Sequence, residues 1–408
     1  MGALSGIRIL DLSRVLAGPW CAQTLADLGA DVIKVERTEC GDDTRAWGPP
    51  WFKSKPGRDD ESAYFLTANR NKKSIAIDFS TEEGAALVCE LVKESDVLVE
   101  NFKVGTLARY GLDYPSLAKL NPRLVYCSIT GFGQDGPYAG RAGYDFLIQG
   151  MGGLMSITGQ PDGHPGEGPQ KVGVALTDIL TGLYATTGIL AALMKTRETG
   201  KGQHIDVALL DVQVACLANQ AMNYLVSNNV PQRIGNAHPN IVPYQDFPTR
   251  NGHIIVAIGN DAQFKRFCDI VKNPQWAEDI NFSKNSARIQ NREALIPKIA
   301  TVLARETSEH WILALEQGGV PCGPINSIAD VFADPQVKHR EMLVKIKDGL
   351  NSEMPSVANP IRMSDTPVEY RLPPPGLGEN SREILQGLLK LSDLNIKGLT
   401  ERKIINCA

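Results

Sequence analysis

The 408-residue chain has no Cys-x-x-Cys pair, although it carries Cys21, Cys40, Cys89, Cys127, Cys216, Cys268, Cys322 and Cys407. Zinc ribbons and thioredoxin-like sites need closely spaced pairs, so neither is indicated. Most of these cysteines lie in apolar runs and read as small core residues. The six histidines show no His-x-x-x-His or His-x-His spacing, and no metal is expected. Long runs of one charge are also missing: 42 Lys+Arg stand against 46 Asp+Glu, a net charge of −4. Without a basic stripe, neither nucleic acid nor a membrane surface is an expected partner. The longest apolar stretch, Ile189–Met194, is too short to span a bilayer. No leader precedes the first strand-like run at Ile7. The expected location is cytoplasmic, or the mitochondrial matrix in a eukaryote, though no transit peptide is visible. What is present, 43% hydrophobic and 22% charged residues, is the composition of a folded globular chain. It excludes collagenous, disordered and disulfide-framework classes.

Strand and helix signals alternate through the first 130 residues. Ile7–Ser13 is strand-like, Arg14–Trp20 is a Gly/Pro-bearing turn, and Cys21–Leu28 has helical spacing closed by Gly29. Asp31–Val35, Ile75–Phe79, Asp96–Val99 and Leu124–Ile129 read as further strands, with a capped helix over Thr81–Ser95. This predicts βαβ units, a mostly parallel sheet and helices on both faces. The polar connection Thr38–Asn71 is long enough to suggest a functional loop. Asp178–Thr196 reads as a firm helix, His204–Leu210 as a strand and Asp211–Leu225 as helical. Tyr244–Phe247 and Ile254–Ile258 flank an Asn251-Gly252 turn, a hairpin signal. The fold class expected is α/β, a Rossmann-like large domain with a smaller α+β domain. Residues 1–200 would form the N-terminal part of the large domain, 201–227 a linker and 228–320 the small domain. Residues 321–408 would be a linker and the return to the large domain.

Three local patterns bear on chemistry. Gly131–Gly136 (GFGQDG) matches G-x-G-x-x-G formally, but Pro137 follows at once, where a pyrophosphate-binding helix should begin. A glycine loop beside some ligand fits better than a dinucleotide site. Asp178, in ALTD, stands where a helix starts. Such a position suits an N-cap. It also suits an ionised carboxylate held at the positive end of the helix dipole, the form needed for nucleophilic attack. Both readings stay open on spacing alone. Arg45 and Arg141 lie beside aromatics in irregular segments, and Arg37 ends a strand at the edge where parallel sheets bind ligands.

Together, Leu4–Arg37, Asn69–Asp78, Asp96–Phe102, Ser128–Tyr138, RAGYD at 141–145, Val174–Ala185, Thr199–Asp211 and PPPGLGENSREIL near the C-terminus resemble the class III CoA-transferase family over nearly the whole chain. The resemblance implies a Rossmann-like large domain and two ring-shaped chains interlocked as a homodimer. It places the family's nucleophile on Asp178. It places CoA contacts on Leu16, Ala17, Arg37, Ala68, Asn69, Arg70, Asn71, Asn101, Phe102, Arg109, Thr130 and Gly131, and the acyl end near Arg45, Arg141 and Tyr144. The implied partners are an acyl-CoA and a free carboxylic acid, with coenzyme A as the carried group and no metal.

The likeness is strongest to members that exchange CoA between succinyl-CoA and glutarate, through GDDTRAWGPP, RAGYD and Gly235–Phe247. Oxalate-using relatives often have Lys at the position of Thr130 and Gln at that of Leu16, which argues against formyl-CoA:oxalate transfer. Racemase relatives have His at the position of Tyr144, and a tyrosine is a poor base at neutral pH.

Overall fold

The computed structural model describes residues 2–53, 60–347 and 353–407. Part of the long polar connection, residues 54–59, lies outside them. Two compact units emerge: Met1–Leu154, Val172–Met222 and Gln336–Ala408 form one, and Met155–Lys171 with Asn223–Pro335 the other.

The larger unit is built on β1 (Arg8–Asp11), β2 (Asp31–Glu36), β3 (Lys72–Ile77), β4 (Val97–Glu100), β5 (Val125–Thr130) and β6 (His204–Ala208). All six run parallel in the order β3-β2-β1-β4-β5-β6, and Ile405–Asn406 adds an antiparallel edge on β3. Strands buried on both faces need continuous apolar runs, and Val97, Leu98 and Val99 are fully buried. Successive residues serve opposite faces. Ile9, Val97 and Val99 pack under α1 (Ala17–Asp27) and the 24-residue helix Leu176–Thr199. Leu10 and Leu98 face α2 (Glu82–Lys93) and the C-terminal helices. Two more helices matter below, α3 (Asp145–Met151) and, after α4 (Leu176–Thr199), α5 (Leu209–Ala215).

The cap signals for these helices hold, although α1 already starts at Ala17, inside the stretch Arg14–Trp20 expected to be a turn. Thr81 caps α2 by accepting from Gly84 N, and Gly29 and Gly200, both at positive φ, follow α1 and α4. By length and composition α4 could cross a membrane. Here it packs along α1, with Thr181, Gly182, Ala185 and Ile189 buried. A Cβ on Gly182 would lie 2.7 Å from Ala17 O, so the missing side chain lets the start of α1 approach α4 one turn beyond Asp178.

Several expectations change. Residues 201–227 are not a linker: β6 pairs with β5 along five residues, and α5 follows directly. The expected helix 211–225 is two helices, broken at Ala218, whose φ is positive. Residues 155–171 and 321–335 belong to the smaller unit. Only Cys21, Cys127 and Cys268 are buried, and Cys40 is exposed.

The smaller unit has an antiparallel sheet, with β8 (His253–Ala257) between β7 (Tyr244–Pro248) and β9 (Cys322–Pro324). Its core gathers Phe247, Ile254, Phe267, Leu295 and Trp311. Arg288, fully buried, is satisfied by Val242 O, Phe282 O and Asp261.

Candidate active site

Reversal of strand order between β1 and β4 leaves a crevice at the carboxyl ends of the sheet, the usual ligand position in open α/β folds. Two compartments open there. One, of about 950 Å³ including space open to solvent, is walled by Leu16 and Ala17 after β1, Asn101–Val104 after β4, Thr130 at the end of β5 with Gly131 next to it, the 141–144 loop and Asp178. The other lies beside Arg37, Asp78, Phe79, Thr106 and Tyr110. Arg14 and Phe102 line both.

Asp178 is the third residue of α4, one position beyond the buried Thr177. It is not the N-cap: Ala175 holds that place and offers no side-chain acceptor. Capping is done from outside, by Asp145 at the start of α3. Its Oδ1 accepts from Thr177 N at 2.8 Å and Asp178 N at 3.4 Å, and its Oδ2 accepts from Gln149 Nε2 at 2.7 Å. The amides that could stabilise an ionised Asp178 are thus turned to a second carboxylate. Burial first, and the Asp145 charge second, push Asp178 up to about 7. The sequence suggested a carboxylate kept ionised by the helix dipole; burial and a like charge outweigh the dipole. A carboxylate this basic is a stronger nucleophile when ionised, and it loses its charge conflict on becoming an acyl derivative.

Arg141 and Tyr144 share this compartment with Asp178. The Arg141 guanidinium lies 4.7 Å from the Tyr138 ring centroid and 5.2 Å from that of Phe132, and meets no carboxylate among the described residues. Tyr144 is 66% exposed. Their loop is locked to the glycine loop after β5, because a Cβ on Gly131 would lie 2.6 Å from Gly143 Cα. Thr130 Oγ1 accepts from Gly133 N, and no helix begins before Asp145, so the G-x-G-x-x-G match is a turn beside the cleft.

Other expected contacts are structural. Every nitrogen of the Arg45 guanidinium is engaged: Nε and Nη2 donate to Glu36 at 2.8 Å, Nη1 donates to the Glu61 carboxylate, and Nη2 also reaches Pro375 O. The guanidinium stacks on Phe65 at 3.7 Å. Arg45 is thus committed to the carboxylates of Glu36 and Glu61 and the Pro375 carbonyl. Ala68, Asn69, Arg70 and Asn71 are buried away from both compartments. Asn69 accepts from Lys72, Arg70 clamps Asp27 and Ser356, and Asn71 holds Asp27 and the backbone at 369–372. Arg70 and Asn71 thereby tie the C-terminal return to α1. Arg109 is exposed on the turn Leu107–Tyr110 and lines neither compartment. Arg37 does line the second one, bonded to Asp43 and Gly41 O. Asn101 is at the wall, yet both ends of its amide hold the Arg14 backbone.

Two site residues escaped the sequence reading. Arg14 stands after β1 as Arg37 stands after β2, the same edge signal. Its Nη1 pairs with Asp43 at 3.0 Å, while its buried Nε has no partner among the described residues. Asp145 was seen only as part of RAGYD, and its partner lies 33 residues away. No cluster of three potential metal ligands occurs among the described residues.

Fold and cleft together define an α/β protein with a long two-compartment ligand cleft at the switch point and a basic carboxylate at one end of it. The description of CoA-transferase family III matches residues 4–381, and the chain belongs to that family of enzymes that transfer CoA. The succinate–glutarate CoA-transferase of Agrobacterium fabrum is 53% identical over 94% of this chain and 95% of its own. The human succinyl-CoA:glutarate CoA-transferase is 42% identical over 99% of this chain and 90% of its own. A CaiB/BaiF family protein from Brucella suis, 50% identical, superposes with a TM-score of 0.84 over 95% of this chain and 99% of that one.

Proposed function

We propose that this enzyme moves CoA from succinyl-CoA to a short free dicarboxylate, glutarate first among them, by acylation of Asp178. The observation carrying the proposal is one compartment that holds a basic carboxylate and an arginine with no carboxylate partner among the described residues. The names of relatives at 53% and 42% identity support the same acids.

The ionised Asp178 attacks the thioester carbonyl, forming a mixed anhydride and releasing CoA thiolate. The thiolate attacks the aspartyl carbonyl, giving an aspartyl-CoA thioester and free succinate. The acceptor carboxylate then displaces CoA to form a second anhydride. The returning thiolate attacks its acceptor carbonyl, releasing the new acyl-CoA and the Asp178 carboxylate. One thioester replaces another, so no ATP is needed, and the difficult exchange is divided into covalent steps. Amides of Ala17 and Gly131 are the candidates for the developing oxyanion. Arg141 offers a fork to the distal carboxylate of a dicarboxylic acid. Arg14 and Arg37 offer positive charge further along the cleft for the phosphates of CoA.

The reading includes an interlocked homodimer. Leu183, Tyr184 and Met194 leave the outer face of α4 exposed and apolar in the single chain, the kind of surface a partner covers. Eight unpaired cysteines suit a reducing, cytoplasmic setting.

The test is a donor–acceptor matrix on purified protein, with CoA esters followed by mass. Glutaryl-CoA should form from succinyl-CoA and glutarate, with acetate and butyrate poor acceptors. Butyrate performing as well as glutarate would overturn the dicarboxylate reading.

A further inference from the structure

Between β1 and α1, Val15 has φ +71. Eight non-glycine residues among those described have positive φ, and Val15 is the only β-branched one. A branched Cβ crowds the backbone in this region, so the conformation persists only where its surroundings impose it. Val15 lines the compartment that holds Asp178, and Leu16 and Ala17, next in the chain, form its wall.

The surroundings impose it through three side chains on three consecutive residues. Lys34 Nζ donates to Ser13 O at 2.8 Å. Asn101 accepts from Arg14 N at 2.9 Å and donates to Arg14 O at 2.7 Å. Asp42 accepts from Val15 N through both oxygens, at 3.2 and 3.3 Å. Asp42 is fixed in turn. Its carboxylate meets Lys34 Nζ at 2.9 Å with both side chains fully buried, and it accepts from Thr44 N and Oγ1. Its own amide donates to Glu36, the carboxylate that Arg45 grips. Burial opposes ionisation of Asp42, but the Lys34 ammonium and the Thr44 bonds prevail and hold it at about 2. A buried ion pair seldom stabilises a fold better than apolar residues of similar volume would. Here it sits directly behind the strained turn.

We propose that Asp42, braced by Lys34, is a positioning residue for CoA transfer: it holds Val15 left-handed and so sets the backbone of Leu16 and Ala17 at the reacting end of the cleft. This rests on the CoA-transferase reading above. Lys34 and Asp42 border the second compartment, and neither lines the one that holds Asp178. Their contribution is placement of the wall against which the thioester carbonyl must lie, and errors of about 1 Å in such placement cost on the order of 100-fold in rate.

The experiment is a double-mutant cycle on the full-length protein, with Asp42→Asn, Val15→Gly and both together. The readouts are kcat and KM with succinyl-CoA and glutarate, CoA affinity by calorimetry, and melting temperature. Asp42→Asn should lower kcat by about 10- to 100-fold and change KM for succinyl-CoA by less than about threefold. Glycine adopts positive φ without the clamp, so adding Val15→Gly should restore kcat by about fivefold or more without recovering melting temperature. If Asp42→Asn fails to fold, Lys34→Met with Asp42→Asn, which leaves no unpaired buried charge, replaces it in the cycle. An unchanged kcat, or a kcat loss that Val15→Gly does not relieve, overturns the positioning role while wild-type transfer still stands. A wild-type protein that transfers no CoA overturns the reading beneath it.

Discussion

Replacing Asp145 by Asn isolates the electrostatic part of the Asp178 environment. The amide oxygen can still accept from Thr177 N, so the external cap on α4 survives, while the charge beside Asp178 is removed. The amide also faces Gln149 Nε2, so one hydrogen bond is lost, at about 1 kcal/mol of stability. Like unit charges a few ångströms apart near a protein surface repel by roughly 1–4 kcal/mol at an effective dielectric of about 20, and the Asp145 charge is the second cause, after burial, of the raised Asp178 pKa. Relief of that repulsion should lower the Asp178 pKa from about 7 by about one to two units. The sign is fixed: an easier ionisation moves the acid limb of the activity profile to lower pH. The assay is the pH dependence of kcat/KM for succinyl-CoA, which reports groups of the free enzyme. Wild-type values should fall below about pH 7 with unit slope, and the variant should keep its activity to about pH 5–6. Its plateau should be lower, because a less basic carboxylate is a weaker nucleophile. Glu100, pushed to about 7 by burial, titrates in the same window, but its limb would not move in this variant. A folded Asp145→Asn protein with an unshifted acid limb would refute the assignment.

The two arginines should separate cleanly. Arg45→Ala removes the guanidinium shared by the carboxylates of Glu36 and Glu61 and should cost about 3–5 kcal/mol in urea unfolding. Arg141→Ala should leave unfolding unchanged and raise the KM for glutarate by about 10- to 100-fold, the worth of a hydrogen bond to a charged group. Equal KM effects without a stability loss in Arg45→Ala would contradict its structural role. Asp178 itself should weaken the fold at neutral pH. Its folded pKa is raised, so its stabilising contribution is present in acid and lost as pH rises through about 7. Asp178→Asn should therefore melt above wild type near pH 8, with the difference closing toward about pH 4.

The sheet was legible because parallel strands leave plain apolar runs: the expected strands Asp31–Val35 and Asp96–Val99 match β2 and β4 to within one residue, and Ile7–Ser13 contains β1 with one residue too many before it and two after. The turn after β1, the glycine loop after β5 and the start of α4 followed from local punctuation, and they form one compartment. Local signals fail where a side chain's meaning depends on a distant partner. Arg45 in a loop beside tryptophans resembles a ligand-binding arginine, but Glu36, Glu61 and the Pro375 carbonyl, from three separate segments, engage it. Asn69, Arg70 and Asn71 are polar and adjacent, as a ligand loop is, but Arg70 and Asn71 face the C-terminal return and Asn69 turns to Phe65 O and Lys72. Asp178 was placed correctly at a helix start, yet its cap comes from Asp145 and its basicity from burial, neither of which spacing reveals.

Covalent trapping tests the central claim most directly. The protein is incubated with succinyl-CoA, quenched with hydroxylamine and digested, and the peptides are mapped by mass. A hydroxamate at Asp178, formed only when acyl-CoA is present and suppressed by prior addition of glutarate, is the expected result. Modification at another carboxylate with Asp178 untouched, or full transfer activity in Asp178→Ala, would contradict it.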